Sequence, residues 1–224
     1  MKLTFLGHSA VRLEADGHEV LIDPFLTGNP SATIGPDAVN PSHIVLTHAH
    51  SDHLGDTEVI AKRTGATVIS GFEIIEYLGA RDVSGHPMNP GGGYDFPFGR
   101  VTFTPALHSS SFPDGTYGGV AMGVIIDMAG KRIYHAGDTA LFSDMGLIGR
   151  KGLDLALLPI GDDLTMGPED AVEAAALLSA ATVVPVHYDT FDLIRQDPKS
   201  FQRAVEAETD SRCVVLEPGS SLEL

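Results

Sequence analysis

Four things are scarce in this sequence: cysteine, positive charge, long apolar runs and repeated segments. Cys213 is the only cysteine, so no internal disulfide framework can form, and the chain suits a reducing compartment. It lies in the apolar run Cys213-Val214-Val215-Leu216, where a small buried strand residue is the simplest reading. Lys and Arg number 14 against 30 acidic residues, a formal net charge of -16. No basic cluster is offered to a phosphate backbone, which makes nucleic acid a poor partner. No stretch approaches the roughly 20 apolar residues of a membrane span. Gly7, His8, Arg12 and Glu14 interrupt the N-terminal segment before a signal-peptide core can develop. A cytoplasmic protein is the expectation. Solenoid-length repeats and low-complexity linkers are also missing.

What is present is the composition of a packed protein. Hydrophobic residues make up 43% and charged residues 20%, which argues against disorder. A chain of 224 residues can bury one sizeable core, and a single domain over 1–224 is expected. Part of the negative charge belongs to carboxylates that are candidates for cation binding, so the surface is less acidic than the sum suggests.

Short apolar runs broken by turn residues predict strands over Leu3 to Leu6, Val11 to Leu13 and Val20 to Ile22, followed by an irregular loop over 24–42. Ile44-Val45-Leu46 predicts a strand, 55–64 a helix ending near Gly65, Ala66 to Ser70 a strand and Phe72 to Leu78 a short helix. Val101 to Leu107 predicts a strand delivering His108, and Val120 to Met128 with Ile133-Tyr134 a hairpin around Ala129-Gly130-Lys131. Leu153 to Leu158, Thr182 to Val186 and Cys213 to Leu216 are further buried strands, separated by helices near 168–179 and 198–207. Pro168 at a first helical position, with Glu169 and Asp170 behind it, marks one helix start. The pattern is α/β, with two facing sheets covered by helices.

The densest chemistry is Thr47-His48-Ala49-His50-Ser51-Asp52-His53, with four metal-ligating side chains in six positions directly after an apolar strand. In extended chain, residues two apart face the same way. His48 and His50 can therefore reach one ion, while Asp52 and His53, after a turn, address a second. Imidazoles crowded this closely would repel on protonation, so cations explain them jointly.

These residues match the signature H-x-H-x-D-H without substitution, and the chain resembles the metallo-β-lactamase superfamily. The resemblance implies a third histidine from a later strand end, a bridging aspartate after a glycine turn, and a last histidine near the C-terminus. His108 in Leu107-His108-Ser109, Asp138 in His135-Ala136-Gly137-Asp138-Thr139 and His187 in Val186-His187-Tyr188 stand in that order. Leu6-Gly7-His8-Ser9, Leu158-Pro159-Ile160-Gly161 and Met166-Gly167-Pro168-Glu169 resemble a prokaryotic branch of metal-dependent hydrolases. That branch is similar to ascorbate-6-phosphate lactonases and to phospholipase D-type members acting on N-acyl phosphatidylethanolamine.

Over roughly Lys2 to Gly219 the resemblance implies an αββα four-layer sandwich, the metallo-β-lactamase fold. It assigns His48, His50 and His108 to one metal, Asp52, His53 and His187 to the other, and Asp138 as the bridge. Two divalent ions sharing a water can present hydroxide to an ester, lactone or phosphodiester, with Asp52 orienting it as well as binding metal. Zn2+ is the first choice; Mn2+, Fe2+ and Co2+ also suit nitrogen and carboxylate ligands. Flavo-diiron members usually carry glutamate where this chain has His50, which weakens a redox reading.

Outside the signature, His8 is a candidate catalytic residue, for substrate binding or proton donation, against a plain turn histidine. His135 suits support of the site better than ligation, and Asp23 or Asp189 suits the role of partner to a ligand histidine. His18, His43 and His86 read as structural, with His18 in a hairpin turn and His86 in a loop. The acidic turn 161–165 and the loops 24–42, 88–98 and 109–118 are candidate cleft walls. The expected partner is a small-molecule substrate, and homo-oligomers are compatible with the sequence. Two rivals stand beside the hydrolase: a metal-dependent nuclease, disfavoured by charge and by the lack of a basic arm, and a family member that binds metal and ligand without turnover. The ligands alone do not separate ester from β-lactam or thioester substrates.

Overall fold

The computed structural model describes residues 1–224. Strands β1 (Lys2–Gly7), β2 (Ala10–Ala15) and β3 (His18–Ile22) form an antiparallel meander. His18 thus opens a strand, and the turn beside it is Asp16-Gly17, both at positive φ. The loop that follows contains one short 3-10 turn, Pro36–Ala38. β4 (His43–Val45) then pairs parallel to β3 and runs into the histidine cluster.

The helix expected over 55–64 is present, and the turn expected before it is itself helical. α1 (Ser51–Leu54) is a single turn that carries Asp52 and His53, and α2 (Thr57–Thr64) ends at Gly65 in the left-handed conformation, as its lack of a Cβ permits. β5 (Thr67–Gly71), α3 (Phe72–Gly79) and β6 (Gly85–Met88) complete the first half. His86 therefore belongs to an edge strand, where Pro87 is tolerated because only one side is paired. β7 (Gly93–Phe96), β8 (Gly99–Pro105), β9 (Met122–Met128) and β10 (Lys131–His135) form a second antiparallel run. After α4 (Met145–Gly149) come β11 (Leu155–Pro159), α5 (Pro168–Leu178), β12 (Thr182–Val186), α6 (Pro198–Glu208), β13 (Arg212–Cys213) and β14 (Ser221–Glu223).

The sheets have orders β14-β1-β2-β3-β4-β5-β6 and β13-β12-β11-β10-β9-β8-β7. In each, antiparallel strands give way to parallel ones midway. The predicted strand over Cys213 to Leu216 is shorter than expected: only Arg212 and Cys213 pair with β12. Val214 and Leu216 turn instead into the space between the sheets.

Three apolar layers hold this together. Leu13, Ile22, Val45, Phe103, Val124, Leu157 and Val186 meet between the sheets. On the outer face of the first sheet, Leu21, Ile44 and Val68 pack against Ile60, Ile74 and Leu78 of α2 and α3. On the outer face of the second, Ile125, Ala156 and Val183 pack against Ile148, Ala175 and Phe201 of α4, α5 and α6. Adjacent strand residues such as Leu21 and Ile22 face opposite layers, the two-residue period of a strand buried on both faces. The result is the expected four-layer αββα sandwich. No helix is long and apolar enough to cross a membrane.

Parallel pairing has a functional consequence. β1, β3 and β4 in one sheet, and β8, β10 and β12 in the other, run the same way within their sheets. Their C-terminal ends release His8, Asp23, His48, His108, Asp138 and His187.

Candidate metal centre

The segment leaving β4 stays extended, held by Leu46 N–H donating to Ile69 O at 3.0 Å and by Met122 N–H donating to Thr47 O at 3.1 Å. His48 and His50 consequently point the same way, Nε2 of the first 3.1 Å from Nδ1 of the second. At His50 the chain is still extended; it then turns into α1, which redirects Asp52 and His53. Three residues beyond the end of β8, His108 closes on the same pair, its ring centroid 5.2 Å from that of His48 and 5.1 Å from that of His50.

Asp138 sits at the centre. Its Oδ2 lies 3.1 Å from His187 Nε2, 3.3 Å from His53 Nε2, 3.6 Å from His108 Nε2 and 3.9 Å from His48 Nε2. Asp52 Oδ2 lies 3.8 Å from His187 Nε2 and 3.9 Å from His53 Nε2. The donor atoms form adjoining sets, each with all its members within 4.8 Å of one another: His48, His50 and His108; His48, His53 and Asp138; and His8, Asp52, His53 and His187. His48, His53, Asp138 and His187 are buried, while His50, Asp52 and His108 are partly open to solvent, so the cluster has a floor and a mouth.

Asp138 reaches the floor because Gly137 precedes it at φ 62°. A Cβ there would stand 2.7 Å from Met122 O and 2.9 Å from Thr47 Cβ, so only glycine lets this turn press against the β4 exit. Gly118 plays a similar part in the 109–118 wall, where a Cβ would stand 2.4 Å from that of Ala49. This wall turns tightly and is pinned by Tyr77 stacked on Phe112, centroids 3.5 Å apart. Non-glycine residues at positive φ also gather here: His8, Asp23, His187 and Asp189, the local strain common at functional sites.

Hydrogen bonds assign the tautomers. Buried Asp23 accepts from Thr47 N–H at 2.8 Å, Thr47 Oγ1–H at 2.6 Å and His53 Nδ1–H at 2.8 Å. The Thr47 hydroxyl proton is thereby committed, so its oxygen accepts from His48 Nδ1–H at 3.0 Å. His48 and His53 therefore both aim Nε2 inward, the atom a ligand imidazole must leave free for a cation. The partner is thus Asp23; Asp189 instead accepts from Gln196 N–H at 2.9 Å and closes a turn. Thr47 as the link to His48 was not anticipated from the sequence, although its hydroxyl directly beside His48 was the available signal.

His135 is a support. Its Nε2–H donates to Ser9 O at 3.0 Å and its Nδ1 accepts from Gly137 N–H at 3.0 Å, which uses both nitrogens. His8 does reach the cluster: its Nε2–H donates to Asp52 Oδ2 at 3.1 Å, and Thr190 Oγ1 lies 2.9 Å from its Nδ1. His18 and His43 lie at the N-terminal ends of β3 and β4, and His86 meets Tyr94 at a sheet edge with its ring tilted by 40°; none joins the cluster. The acidic turn 161–165 adjoins it through Met166 N–H donating to Thr139 O at 2.9 Å.

The electrostatics are those of a cation site. Burial opposes charge on His53, yet Asp138 and Asp23 raise its pKa well above the ordinary value. Burial opposes charge on His187 as well, and Asp138 with Asp52 raises it to about 9. Burial would raise Asp138, but His53 and His187 hold it well below the carboxylate range. His48, His50 and His108 are lowered, chiefly by burial. His53 Nε2, both ring nitrogens of His187, and Asp138 Oδ1 are buried without a hydrogen-bond partner. An orphaned buried polar group costs about 1–3 kcal/mol, and several converging on one place fit metal ions.

A family model described as Beta-lactamase superfamily domain matches residues 18–188. The chain belongs to that superfamily. Along its whole length it is 54% identical to a UPF0173 metal-dependent hydrolase of Thermus thermophilus, covering 100% of this chain and 99% of that one. It is 50% identical to one of Bacillus cytotoxicus, with 100% of both covered. Among solved structures, Igni18, a metallo hydrolase of the archaeon Ignicoccus hospitalis, superimposes with a TM-score of 0.91 at 41% identity, covering 100% of this chain and 98% of that one.

Two predictions follow from the hydrogen bonds and charges. Replacing Asp23→Ala removes the partner that orients His53 and, through Thr47, His48, so Zn2+ affinity falls by about 10- to 100-fold in competition with a chromogenic chelator; an unchanged affinity would contradict the relay. In metal-free protein the raised His53 and His187 carry protons at pH 7.5 that a cation displaces. Titration with Zn2+ in weak buffer should release about two protons per chain, and affinity should climb with pH until His187 deprotonates on its own, at about 9.

Proposed function

We propose that this chain is a dinuclear metal-dependent hydrolase that cleaves an ester, lactone or phosphodiester of a small molecule. The observation that carries this reading is the pair of adjoining donor sets on either side of buried Asp138, several of whose atoms lack any partner within the protein. His48, His50 and His108 would hold one ion, Asp52, His53 and His187 the other, with Asp138 between them. Zn2+ is the first candidate for an N/O donor set, with Mn2+, Fe2+ and Co2+ as the others. Such ions supply two things, a water acidified towards neutral pH and polarisation of the electrophilic oxygen.

The chain's own residues do the positioning. Asp23 and Thr47 set the His53 and His48 rings so that no rotation is needed when a ligand atom is required. Asp52 stands at the mouth, one oxygen held by His8 Nε2–H, and orients the attacking water. Burial lowers the His8 pKa to about 4, so at neutral pH its ring is neutral: Nε2 donates to Asp52 while Nδ1 faces Thr190. His8 therefore works through Asp52 as a positioning residue. Its backbone contributes as well, with His187 N–H donating to His8 O at 2.7 Å, which fastens the β1 exit to the last ligand.

The test is reconstitution followed by elemental analysis and assay on lactone, carboxylic ester, thioester and phosphodiester substrates. The expected result is about two metals per chain, with Asp138→Ala holding one or fewer and losing at least about 100-fold in rate, the scale seen when key electrostatic stabilisation is removed. Full loading with no turnover of any substrate would reduce the protein to a metal-binding member without this chemistry.

A further inference from the structure

The mouth of the cluster carries apolar side chains where a polar rim would be expected. Phe191 is 40% exposed and Phe25 is half-buried. Phe25 and Phe191 lie with ring centroids 6.4 Å apart, and each meets the His8 ring, at 5.7 and 5.6 Å. His8 in turn contacts Asp52, so this aromatic pair stands one residue away from the donor set of Asp52, His53 and His187.

These side chains ride on rigid segments. Asp56 accepts from Leu26 N–H at 2.9 Å and Thr27 N–H at 2.7 Å, which fixes the chain just after Phe25. The Phe191 loop is closed by Asp189 N–H donating to Ile194 O at 2.9 Å and by the Gln196–Asp189 bond. An aromatic surface held in place beside a reaction centre costs little ordering when a ligand seats on it.

Charge completes the argument. The segments 7–9, 23–33, 47–53, 107–119, 136–142, 160–167 and 187–194, which deliver the cluster and its walls, contain no lysine or arginine. The nearest cation along these loops, Arg195, is committed to Asp192 at 2.6 Å. The same segments carry Asp114, Asp162, Asp163, Asp189 and Asp192 in addition to the buried carboxylates. Phosphoryl groups are normally clamped by Arg or Lys beyond the metal ions, and an acidic, apolar mouth repels a ligand with a second anionic group.

We infer that the substrate is an uncharged carboxylic ester or lactone bearing an apolar group of several carbons, which seats on Phe25 and Phe191. This rests on the hydrolase reading above and narrows it. One water is consumed: its oxygen bonds to the acyl carbon, the acyl C–O bond breaks, and the leaving oxygen takes up a proton. The products are an acid and an alcohol, or one hydroxy acid from a lactone. The phosphodiester member of the proposed range is thereby set aside.

The experiment uses the metal-loaded protein with p-nitrophenyl acetate, butyrate and hexanoate, and with bis(p-nitrophenyl) phosphate. The inference expects kcat/KM to rise by about threefold per added methylene, and the phosphodiester to be at least about 100-fold poorer than the hexanoate. Phe191→Ala should flatten the chain-length series with its metal content retained, and Phe191→Leu should keep most of the slope. A flat series in the unaltered protein, or comparable turnover of the phosphodiester, overturns the inference while leaving a hydrolase. Binding of N-methylhexanamide against N-methylacetamide, followed by saturation-transfer NMR, gives a readout independent of turnover. Tighter binding of the longer amide, lost in Phe191→Ala, supports the apolar seat even if no ester is cut, in which case it is the hydrolase reading that fails. Equal binding of the two amides overturns it.

Discussion

A buried carboxylate surrounded by imidazoles is the constraint around which this molecule is arranged. Asp138 is 3% exposed and faces the Nε2 atoms of His48, His53, His108 and His187, yet its Oδ1 has no hydrogen-bond partner. Placing an anion there is costly unless positive charge arrives to meet it. In the protein alone the positive charge falls to His53 and His187, whose pKa values Asp138 raises. A bound metal would supply it in a form that also satisfies the histidine nitrogens left without partners.

The rest of the fold can be understood as the means of holding those groups still. Two sheets, each antiparallel at one side and parallel at the other, send the C-terminal ends of β1, β3, β4, β8, β10 and β12 to one place. The apolar layer between the sheets runs beneath it, with Val45 just before the first histidines and Val186 just before His187. Above that layer the side chains are tied in sequence. Asp23 holds Thr47 and His53, Thr47 holds His48, His135 spans Ser9 and Gly137, and Thr139 receives Leu107 and Met166. Several of these ties join segments far apart in sequence, so the position of the cluster depends on both sheets.

The sequence made the ligand cluster legible because its spacing is a direct expression of local geometry. Two histidines separated by one residue in extended chain must face together, and a helical turn afterwards must redirect the next pair. The strands buried on both faces were legible for a related reason, since runs such as Leu155 to Leu158 are apolar throughout. What escaped was polar or held at a distance. β6, β7 and β14 lie at sheet edges or near the chain end, with glycine, proline and little apolar alternation, so nothing in Gly85–Met88 or Gly93–Phe96 distinguishes a strand from a loop. α4 is a turn of Met145–Gly149 containing two glycines. The choice between Asp23 and Asp189 depended on which strand exit lay beneath His53. The pairing of Phe25 with Phe191 joins opposite ends of the chain, and only the meeting of the two sheets brings it about.

The central claim is that two ions lie side by side and share Asp138. It is tested most directly by electron paramagnetic resonance of the Mn2+-loaded protein at increasing metal equivalents. Two-metal sites hold their ions about 3.5–4 Å apart, so two Mn2+ ions held on either side of Asp138 would be exchange-coupled; the account predicts a coupled spectrum that grows as the second equivalent is added and disappears in Asp138→Ala. A spectrum of isolated Mn2+ at two equivalents, unchanged by that substitution, would contradict it.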